Sequence, residues 1–355
     1  MAGGKGERFW PQSSAERPKH LLSIVGEEPM VAQAVGRLEG LVPPERIFIV
    51  TNARQVAAVQ AACPTVPKDQ VVGEPMGRDT GPAAALAALL VRARDPEGVL
   101  VLLPADAAIH DAAGCRATLH AAFLVAQAKD EIITVGVRPT QPATGYGYLR
   151  RGAQLGESEG QPWFRVERFV EKPDLATAQR YLADGGYLWN AGMFVARASV
   201  LEAAFRTHAP AIAKVMDIIE GALGTAPLSQ RLDAAYGSMP KISLDYAVME
   251  KAGNVAAFEA AFDWDDVGEW PALARHWPRD QEGNVARGAV VLEAAQDNIV
   301  ISEGGQLVAL LGVKDLVVVH TPGATLVCHK DSAQDLKKLL QKVAQAADAG
   351  REPKA

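Results

Sequence analysis

The chain of 355 residues carries 36 Lys and Arg against 42 Asp and Glu, a formal net charge of −6, and is 48% hydrophobic and 22% charged. Mean hydropathy is close to zero. This composition excludes disordered and collagenous chains and leaves room for a large globular domain with a smaller one. The acidic balance excludes a general nucleic-acid binder, which needs a basic field to displace phosphate counterions, so any anionic ligand must be met by local cations. Three cysteines, Cys63, Cys115 and Cys328, lack paired spacing, so neither a zinc site nor a disulfide framework is expected. The longest apolar run, "GPAAALAALLV" from Gly81, is too short for a bilayer, and the N-terminus has no signal-peptide pattern. A cytoplasmic protein without a membrane partner is expected.

In chain order, the opening "MAGGKGERFWPQSSAERPKH" is a glycine loop followed by Arg8 and Lys19. Loops that hold phosphates normally follow a buried strand, so that backbone N–H groups converge on the anion; here only Met1 and Ala2 precede the loop. Short apolar runs "IFIVT" from Ile47, "VLVLLPAD" from Val99 and "EIITVGV" from Glu131 read as buried strands. Helical periods from Ala53, Gly81 and Cys115 alternate with them, the second capped by Asp79 and Thr80 with Pro82 in its first turn. Such alternation predicts a parallel sheet with helices on both faces. From about residue 140 come longer β segments with aromatics, "GYGYLRR", "WFRVERFVEKP" and "LWNAGMFVAR", and then a helical region from Ser199 to Leu223. After about Gly283 short β pieces closed by turn residues predict a small all-β part, ended by a helix, "SAQDLKKLLQKVAQAADAG".

Several stretches have the residue types that anion, base, metal and hydroxyl recognition require. "GGKGER" is neither a Walker loop nor a dinucleotide fingerprint, yet Arg8 and Lys19 beside it suit a triphosphate whose charge grows on the leaving oxygens. In "VVGEPMGRDTGPAAA" a carboxylate, a guanidinium and the N–H groups of a helix start share one loop, and Glu74 could accept the two adjacent donors of guanine. Asp106 ends a buried strand, where the ligand crevice of an open α/β sheet lies, and suits Mg2+ together with a second carboxylate from "FDWDDVGEW". "TGYGY", "VEKP" and "WNAGMF" place amide and carboxylate groups near aromatics, as sugar hydroxyls require. Each alone has a plain alternative: a turn glycine, a capped core helix, a surface ion pair.

In this order, "AGGKGERFWP", "RPKH", "GEPMGRDTGPAA", "LLPAD", "TGYGY", "FVEKP", "LWNAGMF", "SLDYAVMEK" and "FDWDDVGEW" resemble the sugar nucleotidylyltransferases. "EPMGRDTGPA" and "WDDVGEW" are similar to their mannose-1-phosphate guanylyltransferase branch. The resemblance implies a Rossmann-like mixed α/β sheet flanked by helices over residues 1–280 and a β-rich, partial β-helix part with a terminal helix over 281–355. It implies GMP transfer from GTP to mannose 1-phosphate with Mg2+ and no covalent intermediate. Arg8 and Lys19 would be catalytic; Gly3, Gly4, Gly6, Glu74, Arg78 and Thr80 would bind the nucleotide. Gly145, Glu171, Lys172, Asn190 and Asp245 would hold the sugar, and Asp106 and Asp266 the metal. The β-helix would serve packing and homodimer contact.

His20 stands where many relatives have glutamine after Pro-Lys. Relatives also place a hydrophobic strand before the glycine loop, so a further apolar strand is expected upstream of Met1. No cupin-type isomerase domain is expected. Competing readings are the same fold with glucose 1-phosphate or another base, a non-catalytic GDP-mannose sensor, and a glycosyltransferase; "EPMGRDTGPA" disfavours the first, the retained Arg8, Lys19, Asp106 and Asp266 the second, and the third is disfavoured by the opening glycine loop, which it leaves unexplained, and by the single aspartate of "PAD" where a D-x-D triplet would follow the strand.

Overall fold

The computed structural model describes residues 1–4, 6–221 and 226–348. Packing divides them into two units, Met1–Gly3 with Val31–Asp265 and Gly4–Met30 with the chain from Asp266 onward. This division differs from a cut near residue 280. The reason lies in residues 4–30, whose partners come from the C-terminal part: Trp270 Nε1 donates to the Trp10 carbonyl (3.2 Å), Trp277 Nε1 to Ile24 (2.9 Å) and Arg287 to Ser23 (2.8 Å).

In the first unit, β1 (Ile49–Asn52) and β2 (Val71–Glu74) form a parallel pair. β3 (Val99–Leu102), β4 (Ile132–Val137), β5 (Tyr148–Ser158), β6 (Gln161–Val170), β7 (Tyr187–Arg197) and β8 (Val255–Glu259) form a sheet of order β3-β7-β4-β8-β6-β5. β4 and β8 are parallel, but β7 runs antiparallel between β3 and β4. The sheet is therefore mixed, as the resemblance implies, and not the parallel one that strand–helix alternation suggests. Alternation cannot see β7, which enters from the far side after the β5–β6 ribbon; antiparallel neighbours need no crossover helix.

The main helices of this unit are α1 (Thr80–Arg94), α2 (Ala112–Ala128), α3 (Ala198–His208) and α4 (Pro210–Gly221). α1 is buried without interruption from Gly81 to Leu89, because a run of alanines lets strands and neighbouring helices approach closely on every side. Asp79 caps it, its side chain accepting from Thr80 N at 2.9 Å. The single helical region expected over Ser199–Leu223 is two helices, broken where Pro210 excludes Ala209 from helical torsions (φ −141°, ψ 60°); Leu223 lies outside the described residues.

Met1 and Ala2 stand between β1 and β3. Ala2 N donates to Val50 O (2.7 Å), Ala105 N to Met1 O (3.1 Å) and the Met1 ammonium to Leu103 O (2.8 Å), with Ala2 paired in parallel to Thr51. Burial pushes that ammonium down to about 6. Beside this two-residue stub lies an apolar cavity of about 440 Å3, walled by Val35, Leu38, Phe48, Val50, Leu100 and Phe123 among others.

In the second unit β9 (Val285–Arg287), β11 (Ile299–Ser302) and β13 (Leu316–Thr321) stack in parallel, with β14 (Ala324–His329) antiparallel at the edge. β10 (Val290–Glu293) and β12 (Val308–Leu311) make a second parallel face. These are rungs of a partial β-helix. Buried Asn284 and Asn298 tie successive rungs, Asn298 Nδ2 donating to Asn284 Oδ1 at 2.9 Å. The terminal helix, α5 (Leu336–Asp348), follows a 3-10 turn over Lys330–Asp335; the last residues of the helix expected from sequence lie outside the described residues. No helix among the described residues is long and apolar enough to cross a membrane.

Trp270 is fully buried, with Phe9 packed edge-on at 4.9 Å between ring centroids. Trp270→Ala is expected to cost about 3–5 kcal/mol in urea unfolding and to expose residues 4–30 to proteolysis; a loss below about 1 kcal/mol would show that this ring does not hold the segment.

Candidate active site

In the first unit four residues expected to bind the nucleotide, Gly3, Glu74, Arg78 and Thr80, lie about the end of β2 and the start of α1. Glu74, last in β2, is 3% exposed, and the hydroxyl of fully buried Tyr236 donates to its Oε1. Desolvation pushes the Glu74 carboxyl up to about 7, with the Tyr236 hydrogen bond opposing the shift. Gly3 lies against the other oxygen: a Cβ there would stand 3.5 Å from Oε2. Arg78 donates to the Gly237 carbonyl at 2.9 Å, and the Thr80 hydroxyl accepts from Leu244 N at 2.9 Å. Asp79 holds φ 73°, a left-handed value that favours glycine, so the loop is strained where it turns into the helix.

The expected sugar contacts also come together in this unit. Asn190 Nδ2 donates to Asp245 at 3.0 Å, while its Oδ1 accepts from Gly192 N at 3.1 Å and lies 3.0 Å from the Thr134 hydroxyl, which fixes the amide's orientation. Asp245 opens a single π-helical turn, Asp245–Met249, a feature frequent at functional sites. Burial first, and the Glu171 charge second, push its carboxyl up to about 7. Lys172 pairs with Glu171 and holds φ 47°, a second strained loop position. Gly145 is exposed with open space at its Cβ position. The more closely packed glycine is Gly147, where a Cβ would meet Glu171 Oε2 at 2.5 Å and that side chain would have to shift. Tyr146, Trp189 and Trp264 pack edge to face beside it, with centroids 5.0 and 5.4 Å from Tyr146.

In the second unit Arg8, Lys19 and Asp266 meet. Gly6 (φ 62°) admits no side chain, since a Cβ would lie 2.4 Å from Lys19 N. It opens the 3-10 turn Glu7–Phe9 that carries Arg8. Lys19 is 8% exposed; its ammonium donates to the Asp266 carbonyl and lies 6.0 Å from the Phe9 ring centroid. A Cβ on Gly268 would stand 2.8 Å from Asp266 Oδ2 and 3.3 Å from Arg8 Nη1, so this glycine lets carboxylate and guanidinium approach the backbone. Val267, fully buried, is forced to φ 45°, unusual for a β-branched residue. Gly4 is exposed, with nothing near its Cβ position.

Asp106 lies half-buried in the first unit beyond β3, and Asp266 belongs to the second. Among the described residues no group of three His, Cys, Asp or Glu could hold a metal by itself. Carboxylates are the oxygen donors that Mg2+ takes alongside substrate phosphates and water.

A mixed α/β sheet with a buried carboxyl at the end of β2 in the first unit, and a glycine turn with Arg8 and a buried Lys19 at Asp266 in the second, are features of α/β proteins that handle nucleotides. Residues 1–282 match the nucleotidyl transferase family, and residues 288–343 the MannoseP isomerase/GMP-like β-helix domain. The chain is 38% identical over 354 residues to the xanthan biosynthesis protein XanB of Xanthomonas campestris pv. campestris, covering 99% of this chain and 73% of that one. It is 36% identical to the mannose-1-phosphate guanylyltransferase of Escherichia coli, covering 97% and 72%. A crystal structure of a protein named mannose-1-phosphate geranyltransferase, from Thermus thermophilus, superposes with a TM-score of 0.85 at 34% identity, covering 97% of this chain and 98% of that one. The chain belongs to the nucleotidyl transferase family, and the resemblance to mannose-1-phosphate guanylyltransferases seen in its motifs extends over nearly its whole length.

Sequence reasoning missed Tyr236, Thr134 and Glu269. Glu269, half-buried, is raised by burial, with the Arg8 charge opposing and that of Asp266 adding. It stands inside "WDDVGEW" and could have been flagged there, whereas Tyr236 is 162 residues from Glu74 and has no local signal.

Glu74 and Asp245 are both raised, so the folded chain binds their protons more tightly than the unfolded one. The stability they contribute is complete below about pH 4 and is lost as pH rises through about 7. Glu74→Gln and Asp245→Asn are each expected to flatten this fall in urea titrations between those limits; a slope equal to that of the parent chain would show that neither carboxyl is held protonated.

Proposed function

We propose that the protein transfers GMP from GTP to α-D-mannose 1-phosphate, giving GDP-mannose and pyrophosphate. The convergence of Arg8, Lys19 and Asp266 beside the obligatory glycine Gly6 and the close-packed Gly268 carries this reading. A phosphate oxygen of mannose 1-phosphate attacks the α-phosphorus in line, the bond to the bridging oxygen breaks, and pyrophosphate leaves with the electron pair. No side chain forms a bond to phosphorus, so catalysis consists of positioning and charge neutralisation. Arg8 neutralises the leaving phosphates, and Lys19, its ammonium oriented by the Asp266 carbonyl, bridges the phosphates of both substrates. Gly3, Gly4 and Gly6 cradle the nucleotide, whereas Glu74, Arg78 and Thr80 face the base side. Glu171, Lys172, Asn190 and Asp245, with the backbone at Gly145, hold the sugar. Asp106 and Asp266 are the carboxylates for Mg2+, which would supply further charge neutralisation on the phosphates. A cytoplasmic location and a homodimer contact through residues 283–330 belong to the same reading.

Pyrophosphate release is expected only with GTP and mannose 1-phosphate when GTP, ATP, UTP and dTTP are crossed against mannose and glucose 1-phosphates. EDTA is expected to stop it and added Mg2+ to restore it. Arg8→Ala and Lys19→Ala are expected to lower kcat by at least about 100-fold. Release with another pair would overturn the substrate assignment, and binding of GDP-mannose without any turnover would favour a sensor.

A further inference from the structure

The segment 236–244 is stitched to the loop 74–81 by five hydrogen bonds. Tyr236 donates to Glu74, Arg78 to the Gly237 carbonyl (2.9 Å), Ile242 N to Arg78 O (3.2 Å), Gly81 N to Ile242 O (3.0 Å) and Leu244 N to the Thr80 hydroxyl (2.9 Å). A loop expected to read a base is thus held by a segment far away in sequence. Within this set the Tyr236–Glu74 bond joins two side chains that are 0% and 3% exposed. A buried carboxyl without a donor and a buried phenol without an acceptor are each costly, so each fixes the other. The hydroxyl takes Oε1 and leaves Oε2 toward Gly3.

We propose that Tyr236 is a positioning residue for nucleotide-base selection: by holding Oε1 it locks the Glu74 carboxyl in one orientation and presents Oε2 to a donor edge of the base. The inference rests on the reading of this loop as the guanine site. Tyr236 touches no substrate and acts only through Glu74. The other charges that act on Glu74 or Tyr236 are the Met1 ammonium, which favours the carboxylate, and Arg78, which acts on the phenol.

The test is a double-mutant cycle of Tyr236→Phe, Glu74→Gln and their combination, with KM and kcat measured for GTP, ITP (which lacks the exocyclic amine) and ATP across pH 5.5–8.5. Tyr236→Phe is expected to raise KM for GTP about tenfold, equivalent to about 1.4 kcal/mol, with kcat and the KM for mannose 1-phosphate within about twofold. The preference for GTP over ATP should fall by a similar factor, and the pH midpoint of KM for GTP should move upward, because the hydrogen bond that favours the carboxylate is gone. The double variant should be no worse than Glu74→Gln alone. Unchanged base preference and pH profile in Tyr236→Phe, or additive effects in the double variant, would overturn the proposal while the guanine reading stands.

If the parent chain itself shows no preference for GTP, the guanine reading fails. The positioning role is then decided by whether Tyr236→Phe alters the base preference that is observed. Should Tyr236→Phe fail to fold, 3-fluorotyrosine labelling of the full chain gives a second measurement. One 19F line should move with GTP but not with mannose 1-phosphate, and should lose its titration near pH 7 in Glu74→Gln; no such line would overturn the proposal.

Discussion

Lys19 is almost completely withdrawn from water, and its ammonium is met by the backbone carbonyl of Asp266, 247 residues away. Desolvating a cation costs several kcal/mol unless fixed dipoles replace the lost water. That requirement dictates much of the second unit. Residues 4–30 must return to the "WDDVGEW" loop, Gly6 must lack a Cβ where the backbone of Lys19 passes, and Gly268 gives Asp266 and Arg8 room to approach the backbone. Trp270 and Trp277 then hold that segment through carbonyls of Trp10 and Ile24.

The first unit meets the same constraint with the opposite charge. Glu74 is a buried carboxyl and Asp245 a half-buried one, the first held by a phenol and the second by an amide whose own oxygen is pinned by Gly192 N. Both rise to about 7, chiefly because burial removes the water that would solvate the charged form. Their protonation therefore changes in the physiological range, where an ordinary surface carboxylate would be inert. Strain accompanies this arrangement. Asp79, Lys172 and Val267 hold positive φ, as do Glu159, Ala294, Asp297 and Asp315 away from these loops.

The motifs were legible because each is local. A glycine beside cations, a capped helix start and an acidic turn between aromatics are short patterns with a direct physical meaning. Gly145 and Gly147 illustrate the limit: both stand in "TGYGY", but only the packing of Glu171 against Gly147 shows which of them is closely surrounded. The mixed sheet was legible only through resemblance, since strand–helix alternation predicts a parallel sheet and says nothing of where β7 enters.

The sequence by itself determined the composition class, the order of the motifs and the chemistry each offers, because side-chain identity and short-range spacing are written directly in it. The tertiary structure decided which of those groups share an environment. Tyr236 meets Glu74, Thr134 lies against Asn190, and residues 4–30 join the β-helix unit. These are long-range pairings between groups whose partners are chosen by burial, and burial is a property of the folded chain as a whole.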